Sequence, residues 1–248
     1  MNEDRYTLYN KDCFDAMEEL ILKGIKVDAI ICDPPYNIDI ADWDNNFDIE
    51  KALSICKQLL KENGNIIIFQ GWSEVCQTKL IMDKLFNIQN WIVWDRIKGR
   101  GAKKNFVSTR EDILWYCNGD KPTYHKMYSN IQKKTSGMGT KNGEDTRALT
   151  NVWYDISPIV PWSDEKTEHP SQKPVELMER CINIWTNPDD TVLDFTMGTG
   201  TTGRAALNLG RKFIGIERDK KWFEIAESRL SEKPVIKDSD DTIEGYDF

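Results

Sequence analysis

Apolar positions recur along this chain in two alternating rhythms. Phe14, Met17, Leu20 and Ile21 fall on one helical face, and the following run Val27-Asp28-Ala29-Ile30-Ile31-Cys32 reads as a buried strand. Asp33-Pro34-Pro35-Tyr36 ends that strand. Ala52, Leu53, Cys56, Leu59 and Leu60 mark a second helix, Gly64 stops it, and Asn65 to Gln70 forms the next strand. A third helix over 73–86 leads to a strand around 91–94, and the apolar run Ile113 to Cys117 predicts a neighbouring antiparallel strand. From Gly119 to Glu168 the periodicity dissolves, and Lys133 to Glu144, rich in Gly, Ser, Thr and Lys, predicts a mobile loop. Order returns at Pro174 with a helix carrying Met178, Cys181, Ile182 and Trp185. Strand 191–195, helix 201–209, strand 212–217 and helix 220–230 follow.

Strands alternating with helices predict an α/β protein with a doubly wound, mostly parallel sheet and a small inserted region. The pattern divides the chain into a first half of the main domain (1–118), the aperiodic insert (119–168), a second half (169–231) and an acidic, disordered tail (232–248).

Composition narrows the function. Six cysteines never approach metal-ligand spacing and read as core residues of a reduced protein, while His125 and His169 give a zinc site little to draw on, so no metal is expected. The polar N-terminus and the lack of a long apolar run predict a cytoplasmic protein with no membrane segment. A net charge of −8 argues against a nucleic-acid partner until its distribution is seen. Eleven Lys and Arg stand against three acids between Arg96 and Lys141. Phe106, Trp115, Tyr116, Tyr124 and Tyr128 are interleaved with them, a combination suited to phosphate contact and base stacking. Arg96, Lys98, Arg100, Lys103, Lys104, Lys133 and Lys134 are the candidate nucleic-acid contacts.

Two loops carry the candidate chemistry, each just past the carboxyl end of a strand, where open α/β sheets bind ligands. In the first, Asp194-Phe195-Thr196-Met197-Gly198-Thr199-Gly200-Thr201-Thr202-Gly203, the glycines permit a tight turn and close approach to a ligand. Glu217, at the end of the next strand, stands where an acid takes both hydroxyls of a ribose. The glycine spacing fits nicotinamide and flavin cofactors as well, and does not by itself choose among them.

The second loop, Asp33-Pro34-Pro35-Tyr36, discriminates. Its prolines hold the backbone extended and have no N–H, leaving the Asp33 carboxylate and the Pro34 carbonyl to point outward as acceptors. An amino group on an aromatic base is a poor nucleophile because its lone pair is delocalised into the ring. Two acceptors holding its hydrogens favour pyramidal geometry and free that pair to attack a sulfonium methyl, while Tyr36 stacks on a base flipped from the duplex.

With these motifs in this order, the chain resembles the permuted, beta-class amino-methyltransferases of DNA over residues 5–231. His169-Pro170-Ser171-Gln172-Lys173-Pro174 matches a family segment with Ser in place of Thr. The resemblance implies a Rossmann-like S-adenosylmethionine-dependent methyltransferase fold, with S-adenosyl-L-methionine as cofactor. It implies that His169, Ser171, Gln172 and Lys173 line the cofactor's methionine end, that Asp12 and Cys13 meet its adenine, and that Glu217 takes the ribose. Asp33, Asp194, Phe195, Gly198, Gly200, Thr201 and Thr202 complete the cofactor set. Asp33, Pro34, Pro35 and Tyr36 form the catalytic motif, and the basic insert becomes the target-recognition region.

The expected activity is methylation of adenine N6 in double-stranded DNA. The alternatives are cytosine N4 in DNA, adenine N6 in RNA, a catalytically silent binding subunit, and a dehydrogenase. The short recognition region is compatible with a homodimer, and the family layout with a restriction endonuclease as functional partner. If the basic insert contacts phosphates, replacing Lys103 and Lys104 with alanine weakens DNA binding and flattens the slope of log affinity against log salt by about 2. An unchanged slope in a salt titration would assign the charge another role.

Overall fold

The computed structural model describes residues 5–36, 46–100, 106–129 and 147–233, with the side chains at 97–100, 129 and 147 outside the description. Ten strands and six helices are formed among these residues. β1 (Tyr6–Tyr9), α1 (Cys13–Leu22), β2 (Val27–Cys32), α2 (Ile49–Leu59), β3 (Leu60–Gln70), α3 (Val75–Leu85), β4 (Asn87–Arg100) and β5 (Ser108–Cys117) make the first part. Then come β6 (Tyr128–Ser129), β7 (Arg147–Ala148), β8 (Val152–Trp153), α4 (Val175–Trp185), β9 (Thr191–Asp194), α5 (Thr201–Asn208), β10 (Lys212–Ile216) and α6 (Lys220–Ser231).

One eight-stranded sheet runs in the order β1-β10-β9-β2-β3-β5-β4-β8, while β6 and β7 pair separately. β1, β10, β9, β2 and β3 are parallel to one another, and β5 is antiparallel to both β3 and β4. Alternation along the central strands explains why both faces are covered. Ile30, Cys32, Ile66 and Ile68 join Met17, Leu20, Leu53 and Leu59 on one face. Ile31, Ile67 and Phe69, one residue out of phase, join Met178, Ile182, Trp185 and Ala205 on the other. The predicted doubly wound α/β architecture is the observed one.

Three elements differ from the sequence reading. β1 was not expected; it is a short, partly exposed edge strand whose register is set by distant β10, with Tyr6 opposite Phe213. Gly64 does not stop α2, which ends at Leu59 and passes directly into β3. Gly64 instead lies where a Cβ would come 2.8 Å from the Asp28 carbonyl, in the irregular stretch that interrupts β2–β3 pairing. Finally, the flanks of the aperiodic region are tied to the domain. His125 N donates to Ile184 O, Leu149 N to Met127 O, and the Trp94 indole to Ile156 O at 2.9 Å. Strands of two residues have no detectable period, which is why they were invisible. The loop expected at 133–144 and the tail beyond 233 lie outside the described residues.

The chain leaves β2 through α2 toward β3 on one side, and β9 through α5 toward β10 on the other. β2 and β9 are neighbours, with Ala29 opposite Val192 and Ile30 opposite Leu193. Their carboxyl ends therefore flank the crevice of a topological switch point. Close packing of α5 on β10 supports this end of the sheet. A Cβ at Gly203 would come 2.5 Å from the ring of Phe213, which is buried. Gly203→Ala, favourable in most helices, should here lower stability by about 1–3 kcal/mol through overpacking. Thermal or urea denaturation checks it, and a more stable variant would contradict the packing argument.

Candidate active site

The crevice opens into a cleft enclosing about 1090 Å³, part of it shared with open solvent. Of the cofactor residues expected from sequence, Asp12, Cys13, Asp33, His169, Ser171, Gln172, Lys173, Asp194, Phe195, Gly198, Thr201, Thr202 and Glu217 all line it. Gly200 is not on the lining. It caps α5 with φ +77, and a Cβ there would come 3.1 Å from Ala226 of α6, so its freedom serves the turn and helix packing.

Asp194 closes the glycine loop on itself. Its Oδ2 accepts from the Thr202 hydroxyl at 2.7 Å and its Oδ1 from Thr196 N at 3.2 Å. Burial raises its pKa to about 6, against the pull of these donors. Glu217 directly follows β10 and holds the same loop from the other side, accepting from Gly198 N at 3.0 Å and Asp219 N at 2.7 Å. Gly198 has φ +53, a conformation that favours glycine and turns this N–H toward the carboxylate. Burial raises the Glu217 pKa to about 7.

Asp12 caps α1 by accepting from Phe14 N at 2.9 Å. Burial pushes the thiol of its neighbour Cys13 up to about 12, so that it stays neutral. His169 packs edge-on against Trp222, with ring centroids 4.9 Å apart. Burial, then the charges of Lys173 and Lys166, lower its pKa to about 4, leaving a neutral imidazole at pH 7. Gln172 turns back on its own segment, accepting from Thr167 N at 2.8 Å and donating to Glu165 O at 2.7 Å.

The Asp33–Tyr36 loop is locked to the glycine loop through Thr196, whose hydroxyl lies 3.0 Å from Cys32 Sγ and 3.4 Å from the Asp33 carbonyl. Pro34 is buried, and Pro35 and Asp33 face the cleft. Tyr36 fits against the end of β3 because position 71 is glycine; a Cβ there would come 3.2 Å from the Tyr36 ring. Its hydroxyl donates to Asp33 Oδ1, while the Lys173 ammonium donates to Oδ2. Both carboxylate oxygens of Asp33 thus already accept from protein donors. Burial and the neighbouring charges of Asp33 and Glu111 raise the Tyr36 pKa well above the ordinary tyrosine value and keep it a donor.

Sequence reasoning missed several cleft residues. Phe47 stacks between Phe14 and Phe195, with centroids 5.7 Å and 6.3 Å away and planes tilted by 17° and 6°. Asn46, Met197, Thr199, Arg218 and Trp222 also line the cleft. No spacing rule joins Phe47 to Phe195. Trp222, in the first turn of α6 a few residues after Glu217, carried a signal in its position. Glu111, which meets both Arg96 and Lys173, was counted among the acids of the basic stretch but not as part of a site.

Arg96 proves to be held close to the Asp33–Tyr36 loop, by way of Glu111 and Lys173. It pairs with Glu111 at 3.2 Å and donates to Ser108 O at 3.2 Å. Lys98 and Arg100 continue β4, with side chains outside the description. Lys103, Lys104, Lys133 and Lys134 lie outside the described residues altogether.

A crevice with a glycine turn, a half-buried acid just past the next strand and stacked aromatic rings suits a Rossmann-like fold with an adenosine-type ligand. The DNA methylase family model matches residues 27–228, and the chain belongs to that family. It is 31% identical to Type II methyltransferase M1.MboII of Moraxella bovis, over 92% of this chain and 97% of that protein. It is 33% identical to DNA adenine methyltransferase YhdJ of Escherichia coli (strain K12), over 87% and 80%. The crystal structure of the M1.HpyAVI–SAM complex superimposes with TM-score 0.67 at 31% identity, covering 91% of this chain and all of that one.

Glu217 carries a pH signature. Its folded pKa, about 7, lies above the unfolded value near 4.5, so the folded state binds the extra proton between those limits. Its contribution is fully favourable below pH ~4.5 and is lost as pH rises through ~7. Glu217→Gln, which removes the titration, should flatten that part of the stability curve. Melting curves from pH 4 to 8 test this; an identical pH dependence in the variant would remove the assignment.

Proposed function

We propose that the protein transfers a methyl group from S-adenosylmethionine to the exocyclic N6 amine of an adenine flipped out of double-stranded DNA. The observation carrying this reading is the junction of the Asp33–Tyr36 loop with the glycine loop, tied together by Thr196, on a single cleft ending in Glu217. Membership in the DNA methylase family supports the reaction class. Similarity to a protein named as a DNA adenine methyltransferase supports adenine.

The donor set fits the cofactor. Glu217 would take the ribose hydroxyls, Asp12 the adenine amine, Phe195 with Phe47 would offer flat apolar faces, and His169 to Lys173 would border the amino-acid end. Neutral His169 and neutral Cys13 add no charge there. The cofactor supplies an electrophilic methyl on a sulfonium. The protein's own contribution is positional and electrostatic. The Asp33 carboxylate accepts a hydrogen of the target amine and stabilises the positive charge that grows on nitrogen. Tyr36, anchored to that carboxylate and packed on Gly71, offers a rigid ring for the base. No histidine base is needed, because a methylated ammonium is acidic enough to release its proton to a carboxylate or water.

Asp33→Ala should lower methyl transfer to duplex DNA by on the order of 1,000-fold while cooperative unfolding persists. The assay is transfer of labelled methyl to unmethylated duplex, followed by digestion to nucleosides. Label in methyldeoxyadenosine that disappears in the variant supports the reading. Label in methyldeoxycytidine moves the target to cytosine N4, label only on RNA moves it to RNA, and full activity in the variant removes Asp33 from the chemistry.

A further inference from the structure

Lys173 reaches Asp33 from 140 residues away in sequence, and its side chain is only 7% exposed. Its ammonium has two carboxylate partners. It donates to Asp33 Oδ2 and lies 3.1 Å from Glu111 Oε2 on β5. It also stands over the rings of Tyr36, at 5.7 Å, and Phe69, at 5.9 Å. Glu111 in turn pairs with Arg96 at 3.2 Å. The result is a row of alternating charge, Asp33, Lys173, Glu111, Arg96, drawn from the β2 loop, the segment ahead of α4, β5 and β4. Burial disfavours the charged lysine, but the two carboxylates outweigh it and hold its pKa above the ordinary value.

An ammonium on Asp33 Oδ2 offers that oxygen the same N–H donor that an amino group on a base would offer. Lys173 therefore occupies a hydrogen-bonding position that the proposed reaction needs for its substrate. Glu111, which is not part of the cleft lining, provides a second seat a short swing away. We propose that Lys173 is a positioning residue for methyl transfer, holding the Asp33 carboxylate in orientation until the target amine arrives and then moving onto Glu111. This rests on the methyl-transfer reading above. It differs from a role at the cofactor's methionine end, which would act through cofactor affinity rather than turnover.

Asp33 meets Tyr36 on its own loop and Lys173 ahead of α4, with Asp194 on β9 nearby, while Glu111 on β5 and Arg96 on β4 join the set through Lys173. Removing the lysine charge from this set makes protonation at the site easier. Lys173→Met should thus lower kcat by on the order of 100-fold, with the KM for S-adenosylmethionine little changed. The acidic limb of its pH–rate profile should move to higher pH. Lys173→Arg, which keeps the charge, should recover much of the rate and return the limb to its original place.

Asp33 left without its cation, and Glu111 left with Arg96 alone, will destabilise Lys173→Met, so the double variant Lys173→Met/Glu111→Gln is the control. It should regain the melting temperature without regaining kcat. The experiment measures labelled methyl transfer from S-adenosylmethionine to duplex DNA for the full chain and these three variants across pH. Wild-type transfer combined with a Lys173→Met defect confined to KM for the cofactor, an unshifted pH limb, or a double variant at the parental rate would each overturn the proposal alone. A wild-type protein that transfers nothing would overturn the functional reading and the proposal with it.

Discussion

Pairing of β2 with β9 is the constraint from which the rest of the site follows. These short parallel strands meet at the centre of the sheet, and the chain leaves their ends in opposite directions. Both following loops must then face the same crevice, since neither has a neighbouring crossover above it. Cys32 and Thr196, 164 residues apart in sequence, come within 3.0 Å. Without that adjacency the proline-stiffened loop and the glycine loop would be separate turns. With it, a carboxylate suited to an amine and a cradle suited to an adenosine share one wall.

The site is expensive to fold because it buries several carboxyl groups. The structure offsets this by giving each one donors from the loop it organises. Asp194 holds Thr196 and Thr202, Glu217 holds Gly198 and Asp219, and Asp33 holds Tyr36 and Lys173. Burial still wins for Asp194 and Glu217, whose pKa values stay raised. Groups kept partly against their solvation preference are typical of sites where function, not stability, chose the residue.

The antiparallel side of the sheet extends this logic. β5 runs beside β3 and β4 beside β5, and they carry Glu111 and Arg96 to the flank of the Asp33–Tyr36 loop. β4 also receives the flank of the aperiodic region through β8 and the Trp94 indole. Indole N–H groups recur as fasteners here, with Trp115 donating to Asn65 and Trp153 to Thr150. Buried tryptophans of this kind combine a large apolar area with one directional bond, so they fix loops that have no regular structure of their own.

The sequence by itself determined the doubly wound α/β class, the core-facing helices and the central strands, because these depend on local periodicity and on burial of continuous apolar runs. It also determined the two chemical loops, whose prolines and glycines restrict the backbone wherever they occur. It did not determine β1, β8 or the pairing of β6 with β7, whose few residues form strands only because a distant partner supplies the hydrogen bonds. Nor did it reveal that Phe47 lies between Phe14 and Phe195, that Gly200 packs on α6 rather than facing a ligand, or that Arg96 turns inward to Glu111. The meeting of Lys173 with Asp33 and Glu111 belongs to the same group. Such contacts join residues from separate elements, and their electrostatics come into being only when the folded sheet removes water from between them.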